Sequence, residues 1–262
     1  MSDDRLTEAG SLLLNAWRGN RRLDAIPETC RPRDRAEGYA AAAALAELSG
    51  DTVAGWKIAA TSEAGQRHIN VEGPLSGRIL SERLLAPGAS VRLGNNIMKV
   101  AEAEFAFRFG RDLPARDSAY SRDEVLAAVA SLHLSIEVPD SRYNDFTKAG
   151  AAQLIADTAC ASWLVLGPPV SAEWRSLDLS AHVVSAQRNG APAAQGSGKA
   201  VLGDPRTALT WFVNEASRYC GGVKAGQFVT TGTCIVPIAI VRGDVIEMDY
   251  GVLGTMGCAI AP

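Results

Sequence analysis

Apolar residues at helical spacing dominate the first fifty positions of the chain. The apolar face of a first predicted helix carries Leu6, Leu12, Leu13 and Trp17. Asp3 or Asp4 stands where the N-cap of this helix is expected. A second helix is predicted over residues 34–49, an alanine-rich stretch that Gly50 ends as a C-terminal stop. The chain is therefore predicted to begin with two helices.

Alternating apolar and polar positions, separated by glycines, replace the helical pattern after residue 50. Strands are predicted at residues 55–61, 100–109, 132–138, 160–166, 181–188, 228–231, 235–241, 245–250 and 255–260. Later helices are predicted at residues 62–69, 121–130 and 205–219. Asn189-Gly190 is a strong hairpin signal. The pattern predicts an α+β fold, with an N-terminal mainly helical subdomain over residues 1–85 and a mixed β domain over residues 86–262.

The composition excludes several classes of protein. The chain has 262 residues, of which 47% are hydrophobic, so it can bury a substantial core and is neither disordered nor fibrous. A net charge of −3 and a pI near 5.7 leave no basic excess to neutralise phosphates, so no nucleic-acid partner is expected. An enzyme or a binding protein remains.

The start of the chain and its cysteines predict a cytoplasmic protein. The first ten residues are acidic and lack the features of a signal peptide, and no uncharged stretch approaches the ~20 apolar residues of a membrane span. The cysteines are odd in number and scattered, which argues against a disulfide framework and a structural zinc site. They are Cys30, Cys160, Cys220, Cys234 and Cys258.

Three glutamates leave the apolar faces of two predicted strands. In the strand at residues 100–109, Glu102 and Glu104 share the face opposite its alanines and phenylalanines, roughly 7 Å apart along the strand. Glu137 leaves the apolar face of the strand at residues 132–138 in the same way. Enclosed carboxylates repel one another unless a cation lies between them, and oxygen ligands suit Mg²⁺ or Mn²⁺. The alternative is a solvated strand face with surface glutamates.

Lys57 and Asp157 are charged residues among apolar neighbours. In its strand, Lys57 would bind a substrate carboxylate or shuttle protons, or else point to water from a sheet edge. Asp157 is explained at least as well as the cap of a helix or turn as by a functional role. Gly232 would let the backbone approach a ligand or form a tight turn. The three histidines have no ligand-like spacing, so none is assigned to the metal.

Several short motifs follow one another along the chain. They are Gly55-Trp56-Lys57-Ile58 with Thr61-Ser62, residues 101–107 with Arg111-Asp112-Leu113, Ile136-Glu137-Val138 with Asp140-Ser141-Arg142, Ile155-Ala156-Asp157, and Thr231-Gly232-Thr233. This ordered set, which spans about residues 10–260, resembles the fumarylacetoacetate hydrolase superfamily. Within it, the chain looks like the 2-keto-4-pentenoate hydratase and 4-oxalocrotonate decarboxylase branch.

The resemblance implies a fold, a metal and a reaction. The fold would be a mixed β-roll or β-sandwich catalytic core flanked by helices, with a helical N-terminal region. The reaction would be addition of water to a 2-hydroxy-2,4-dienoate through a metal-chelated enolate, in the catabolism of aromatic or related compounds. A homo-oligomer is implied as well. The implied metal ligands for Mg²⁺ or Mn²⁺ are Glu102, Glu104 and Glu137.

Further site residues follow from the same resemblance. Lys57 would assist proton transfer or hold the substrate carboxylate, and Asp157 would orient Lys57 or the water. Hydratases usually carry an acidic residue at a loop position that Leu75 and Ser76 occupy here. Glu72 is the acidic residue nearest to that position, and it is the candidate for the same catalytic role. The expected substrate-binding residues are Arg142, Cys160, Gly232 and Thr233.

Other reactions of the same metal site stay open as alternatives. The family's D-N-A-S segment reads Asp157-Thr158-Ala159-Cys160 here. Decarboxylation of a 4-oxalocrotonate-type diacid would use Arg142 or Arg78 for the second carboxylate. Hydrolytic C–C cleavage of an acylpyruvate would use Glu72 or His68 as a base. A non-catalytic partner subunit is the remaining alternative.

Overall fold

The computed structural model describes residues 4–262. Its α-helices are α1 (Asp4–Arg18), α2 (Arg35–Ser49), α3 (Glu63–His68), α4 (Arg122–Ala128), α5 (Ala151–Ala156) and α6 (Pro205–Tyr219). The predicted cap Asp3 lies outside the described residues, and Asp4 is the first residue of α1 rather than the residue before it.

Capping residues explain where the later helices begin and end. The side chain of Asp34 accepts a hydrogen bond from the amide of Glu37 at the start of α2, and Gly50 ends this helix at a φ of 72°. Ser121 and Glu124 form a reciprocal capping box at α4. At α6, Asp204 caps the first turn. The predicted bounds of this helix, residues 205–219, are confirmed.

Strands make up most of the remaining regular structure. They are β1 (Val53–Ala59), β2 (Leu75–Leu80), β3 (Leu84–Leu85), β4 (Ser90–Val91), β5 (Val100–Phe109), β6 (Leu113–Pro114), β7 (Val129–Val138), β8 (Trp163–Pro169), β9 (Val183–Arg188), β10 (Ala191–Ser197), β11 (Gly222–Val223), β12 (Phe228–Thr233), β13 (Ile238–Ala239), β14 (Val245–Asp249) and β15 (Thr255–Ile260). The predicted α+β class is confirmed.

The largest sheet contains the strands that carry the predicted site. Its order is β2-β1-β12-β5-β7-β8-β3, and β13 pairs separately with β5. Strand β1 runs parallel to β12, whereas β5 is antiparallel to both β12 and β7. Lys57 on β1, Gly232 on β12, Glu104 on β5 and Glu137 on β7 therefore come from four consecutive strands.

A second sheet, in the order β10-β9-β14-β15-β4, packs against the first. Side chains from both sheets and from α6 form the larger apolar cluster, to which Phe105, Met248 and Phe212 belong. A smaller cluster joins α1, α2 and α5, and it includes Leu13, Leu45 and Ile155. The hairpin predicted at Asn189-Gly190 is present between β9 and β10.

The N-terminal part of the chain contributes to both clusters. Strands β1 and β2 precede residue 85, yet they are hydrogen-bonded into the same sheet as β5 and β12. The division into residues 1–85 and 86–262 stays a prediction. Within residues 4–262, no helix is long and apolar enough to span a membrane.

Two predicted strands differ from the observed ones. The strand predicted at residues 160–166 begins only at Trp163, because residues 158–160 adopt left-handed backbone angles that end any extended strand. The strand predicted at residues 235–241 is reduced to the two residues of β13. The remainder of that apolar stretch is a loop in which Ile235 is buried but Val236 is exposed.

Candidate metal centre and active-site cavity

Three glutamate side chains converge on one face of the main sheet. Glu102 and Glu104 point to the same side of β5, because side chains alternate along a strand. Glu137 on β7 is the direct cross-strand partner of Glu102. One carboxylate oxygen from each of the three lies within 4.8 Å of the others. The structure therefore brings together the three carboxylates that the strand pattern singles out.

These carboxylates are not a solvated strand face. Glu104 and Glu137 are each only 1% exposed, and Glu102 is partly exposed toward a cavity. Within the described part of the chain, Oε1 of Glu104 and both carboxylate oxygens of Glu137 accept no hydrogen bond. Buried oxygen atoms without donors are costly, and a hard divalent cation would satisfy them. The donor set therefore fits Mg²⁺ or Mn²⁺.

The electrostatics of the cluster favour the same ion. Burial, together with repulsion from Glu137, raises the pKa of Glu102 to about 7. Burial and the neighbouring carboxylates raise the pKa of Glu104 well above its usual range. Burial also raises the pKa of Glu137, although Lys57 opposes the shift. Two positive charges placed among these groups would remove the repulsion and restore the ionised carboxylates.

Lys57 is buried beside the carboxylates. It is 3% exposed, and β1 lies between β2 and β12, so the alternative of an edge-strand lysine that points to water is wrong. Its Nζ lies 3.1 Å from Oε1 of Glu137 and donates a hydrogen bond of 3.0 Å to the carbonyl of Ala159. Burial lowers the pKa of Lys57, but the three nearby glutamates raise it more, so the amine stays protonated.

A cavity of about 570 Å³ opens in front of the cluster. Lys57, Glu102 and Glu104 contribute to its polar end. Much of the remaining wall is apolar, and it includes Ile69, Leu75, Met98, Leu154, Ile235 and Val236. This volume falls within the range of small-molecule sites, which are mostly apolar with a few polar groups that orient the ligand.

Gly232 places the backbone against both Glu104 and the cavity. Its amide donates a hydrogen bond of 3.0 Å to Oε2 of Glu104. Its φ is +100°, and a Cβ there would lie 2.2 Å from Oγ1 of Thr61. A side chain at this position would therefore disturb the glutamate. Thr233 and Cys160, two further predicted substrate-binding residues, also line the cavity.

Among the other predicted site residues, His68 lines the cavity, whereas Asp157, Arg142, Glu72 and Arg78 do not. Asp157 and Arg142 form a buried ion pair with each other, so their charges are not available to a substrate. Glu72 is exposed on the loop before β2. Arg78 is buried over the ring of Trp56 and donates a hydrogen bond to a backbone carbonyl of the helix that precedes β1. Direct substrate contact by Arg142 is thus corrected by the geometry, whereas the orienting role of Asp157 and the catalytic role of Glu72 stay predictions.

Some polar residues of the cavity were missed by the sequence analysis. Thr61, Gln195 and Ser197 contribute to the lining. Gln195 and Ser197 lie on β10, a strand of the second sheet. Sequence spacing indicates the hairpin but contains no signal for which sheet face meets the cavity.

Comparison with known proteins decides the family. The model "Fumarylacetoacetate (FAA) hydrolase C-terminal" matches residues 76–261. The chain belongs to the fumarylacetoacetate hydrolase family. The resemblance drawn from the motifs is confirmed, including its hydratase and decarboxylase branch.

Curated members of the fumarylacetoacetate hydrolase family resemble this chain over most of its length. It is 34% identical over 218 residues to a 2-hydroxyhexa-2,4-dienoate hydratase of Comamonas testosteroni, which covers 82% of this chain and 80% of that protein. It is 30% identical over 245 residues to a 2-keto-4-pentenoate hydratase of Burkholderia vietnamiensis, which covers 92% of each chain. These relatives indicate an enzyme of the hydratase type.

A solved structure in this family shows that the whole fold is shared. The 4-oxalocrotonate decarboxylase from Pseudomonas putida G7, complexed with magnesium and adipate, superimposes with a TM-score of 0.87. The match covers 99% of this chain and 98% of that one, at 24% identity. At this identity the likeness establishes the fold and leaves the reaction to the residues of the site.

Proposed function

We propose that this protein is a divalent-metal-dependent hydratase that adds water to a 2-hydroxy-2,4-dienoate. The observation that carries the proposal is a cluster of three carboxylates and one ammonium at the polar end of an otherwise largely apolar cavity, which Lys57, Glu102 and Glu104 line. The hydratase names of the relatives from Comamonas testosteroni and Burkholderia vietnamiensis support it.

Glu102, Glu104 and Glu137 would hold the metal. Their oxygen donors suit Mg²⁺ or Mn²⁺, and the related decarboxylase from Pseudomonas putida G7 is complexed with magnesium. When bound, the ion would supply Lewis-acid polarisation of the 2-oxo acid. Gly232 would keep Glu104 in position through its amide hydrogen bond.

Lys57 would act as a cation and proton donor. In the metal-free protein the nearby glutamates raise the pKa of Nζ, which favours its protonated form. Of the three donor directions of Nζ, one hydrogen bond goes to the carbonyl of Ala159, and a second side of the ammonium forms the ion pair with Glu137. A third direction is left for the carboxylate of a substrate, or for a proton that moves to the substrate carbon.

The cavity favours hydration of a monoacid over decarboxylation of a diacid. Among the described lining residues, Lys57 is the only lysine or arginine. Arg142 and Arg78, the candidates for binding a second carboxylate, are buried outside the lining. An uncharged distal substituent fits the apolar wall, whereas a distal carboxylate would lose its hydration there without a charged partner.

Product analysis with two substrates tests the proposal. Purified protein with Mg²⁺ is incubated with 2-hydroxyhexa-2,4-dienoate and, separately, with 4-oxalocrotonate. We expect hydration of the dienoate and at most slow release of CO₂ from the diacid, with both activities lost in Glu104→Gln. Faster CO₂ release than hydration would replace the hydratase proposal with a decarboxylase.

Three finer properties belong to this proposal. We keep Mg²⁺ or Mn²⁺ as the metal, and metal-replacement assays would separate the two ions. A homo-oligomer remains a prediction from the family resemblance, which light scattering tests. A cytoplasmic location remains a prediction, which cell fractionation tests.

A further inference from the structure

Three consecutive residues behind the cavity have left-handed backbone angles although none is glycine. The φ angles of Thr158, Ala159 and Cys160 are 50°, 50° and 62°. Such conformations are sparsely populated for residues with a Cβ, and a run of three persists only where the surroundings enforce it. All three residues are buried. We refer to residues 158–160 as the left-handed turn.

The guanidinium of Arg142 donates hydrogen bonds to the left-handed turn and to the residues on either side of it. Its Nη1 donates a hydrogen bond of 2.7 Å to the carbonyl of Ala161, and its Nη2 donates one of 3.3 Å to Oγ1 of Thr158. Nη2 also donates to the carbonyl of Asp157. The guanidinium thereby bonds residues on both sides of the turn. At 1% exposure, Arg142 has no access to a substrate.

Asp157 fixes the position of the Arg142 guanidinium. Its carboxylate forms an ion pair with Nε of Arg142 and accepts hydrogen bonds of 2.8 Å from Oγ of Ser141 and 3.0 Å from the amide of Arg142. From the opposite side, Gly77 of β2 packs so closely that a Cβ there would lie 1.7 Å from the carbonyl oxygen of Thr158. The turn is therefore confined on two sides.

One carbonyl group of the left-handed turn points toward Lys57. Nζ of Lys57 donates to the carbonyl of Ala159 at 3.0 Å, and Glu137 lies 3.1 Å away on another side. Ala159 and Cys160 also contribute to the cavity wall. With two directions of the ammonium fixed in this way, the remaining N–H has a defined orientation.

We propose that Arg142 and Asp157 are positioning residues that act through the left-handed turn to orient the ammonium of Lys57. The proposal rests on the proposed function for the catalytic meaning of that orientation. It replaces substrate binding by Arg142 with an indirect role, and it states how Asp157 would orient Lys57. The backbone strain is thereby explained, because an ordinary turn would point the carbonyl of Ala159 elsewhere.

Two variants test the link without removing the carbonyl group itself. Arg142→Lys keeps the positive charge opposite Asp157 but lacks the planar group that bonds both sides of the turn. Ala159→Gly removes the Cβ that restricts the turn to few backbone conformations, so the carbonyl of residue 159 is held less firmly. Because glycine also adopts positive φ without strain, the melting temperature of this variant should not fall. Asn20→Gly, at a φ of 53° outside the cavity lining, is the matched control.

The readout independent of activity is the NMR signal of the Lys57 ammonium, identified by its loss in Lys57→Met. We expect the signal in wild type and in Asn20→Gly, and a shifted or broadened signal in Arg142→Lys and Ala159→Gly. In parallel, kcat in both variants should fall between about 10- and 100-fold with a nearly constant KM, as for small misplacements of a catalytic group. In the Lys57→Met background, Ala159→Gly should cause no further loss.

The outcomes separate this proposal from the proposed function. An unchanged Lys57 signal in Arg142→Lys overturns the positioning role, and if Arg142→Lys fails to fold, an unchanged signal in Ala159→Gly overturns it instead. A kcat that remains at the wild-type value in Ala159→Gly, or additive losses in the double variant, overturns it as well. If wild type hydrates no dienoate while its Lys57 signal still responds to both variants, the positioning link is supported and the proposed function fails.

Discussion

Two buried charged regions lie next to each other in this protein and differ in how their charges are balanced. Among residues 4–262, Lys57 is the one cation beside Glu102, Glu104 and Glu137, and several oxygens of these glutamates lack hydrogen bonds. Asp157 and Arg142, in contrast, pair one to one.

The polar groups of that second pair are also well bonded. Arg142 and Asp157 have hydrogen-bond partners in the protein, and neither residue lines the cavity. A buried cluster with an excess of negative charge therefore indicates a cation-binding site. A buried ion pair whose polar groups are all hydrogen-bonded stabilises the backbone around it instead.

The largest effect is expected where the unbalanced cluster loses a carboxylate. Glu137→Gln removes a proposed metal ligand and the ion-pair partner of Lys57, so hydratase kcat/KM should fall about 1000-fold. Steady-state kinetics at saturating Mg²⁺ measures this. Glu247→Gln, at an exposed position of β14, is the control and should keep its activity. Activity of Glu137→Gln near that of the control would remove the distinction between the two regions.

Loss of the balanced pair should lower the stability of the fold as well. Asp157→Asn leaves the guanidinium of Arg142 buried without a counter-charge, which should cost about 3 kcal/mol of unfolding free energy. Urea denaturation of the metal-free protein measures it. The equilibrium dissociation constant for Mg²⁺ should change little in the fraction that remains folded. A variant as stable as wild type would show that this pair does not hold the fold.

An intermediate effect is expected where the backbone supports a metal ligand. Gly232→Ala adds a Cβ 2.2 Å from Oγ1 of Thr61 and disturbs the amide that bonds Glu104. Loss of such outer support should weaken Mg²⁺ binding about 10- to 100-fold, which calorimetric titration measures. Gly243→Ala, at a positive φ but with open space around it, separates backbone strain from the effect on Glu104. Equal affinities in the two variants would contradict the role of Gly232.

The smallest effect is a pH dependence that only the unbalanced cluster should show. The folded-state pKa of Glu102 is about 7, and those of Glu104 and Glu137 are also raised, so the folded metal-free protein binds more protons than the unfolded chain. Its stability should therefore fall as pH rises from about 5 to 8. Ionised carboxylates bind Mg²⁺ better, so the rise in Tm on adding Mg²⁺ should grow over the same interval. A Mg²⁺ effect that is independent of pH would contradict these shifts.

The sequence predicts the metal ligands better than it predicts the residues that surround them. Glu102, Glu104 and Glu137 could be singled out because the period of two along a strand shows which side chains leave the apolar face. The burial of Lys57 could not be predicted, since it depends on β1 lying between β2 and β12. That order is set by long-range pairing rather than by the local pattern.

The ion pair of Asp157 with Arg142 could not be predicted for a related reason. Fifteen residues separate them, and their pairing depends on the left-handed turn, which the residues Thr158, Ala159 and Cys160 do not suggest. Glycine is the usual signal for positive φ, and it is absent from this turn. The helix caps at Asp34, Ser121 and Asp204 were easier to predict, because each depends only on residues within the first turn.

The most direct test of the account is thermal melting with and without Mg²⁺, each with and without oxalate as a mimic of a 2-oxo acid. Wild type, Glu104→Gln and the control Glu247→Gln are compared. A ligand that binds the folded state raises the melting temperature. The account predicts that Mg²⁺ and oxalate together stabilise wild type and Glu247→Gln more than the sum of their separate effects, and that Glu104→Gln loses this stabilisation. Equal melting curves for wild type with and without both ligands would contradict the metal centre and, with it, the proposed function.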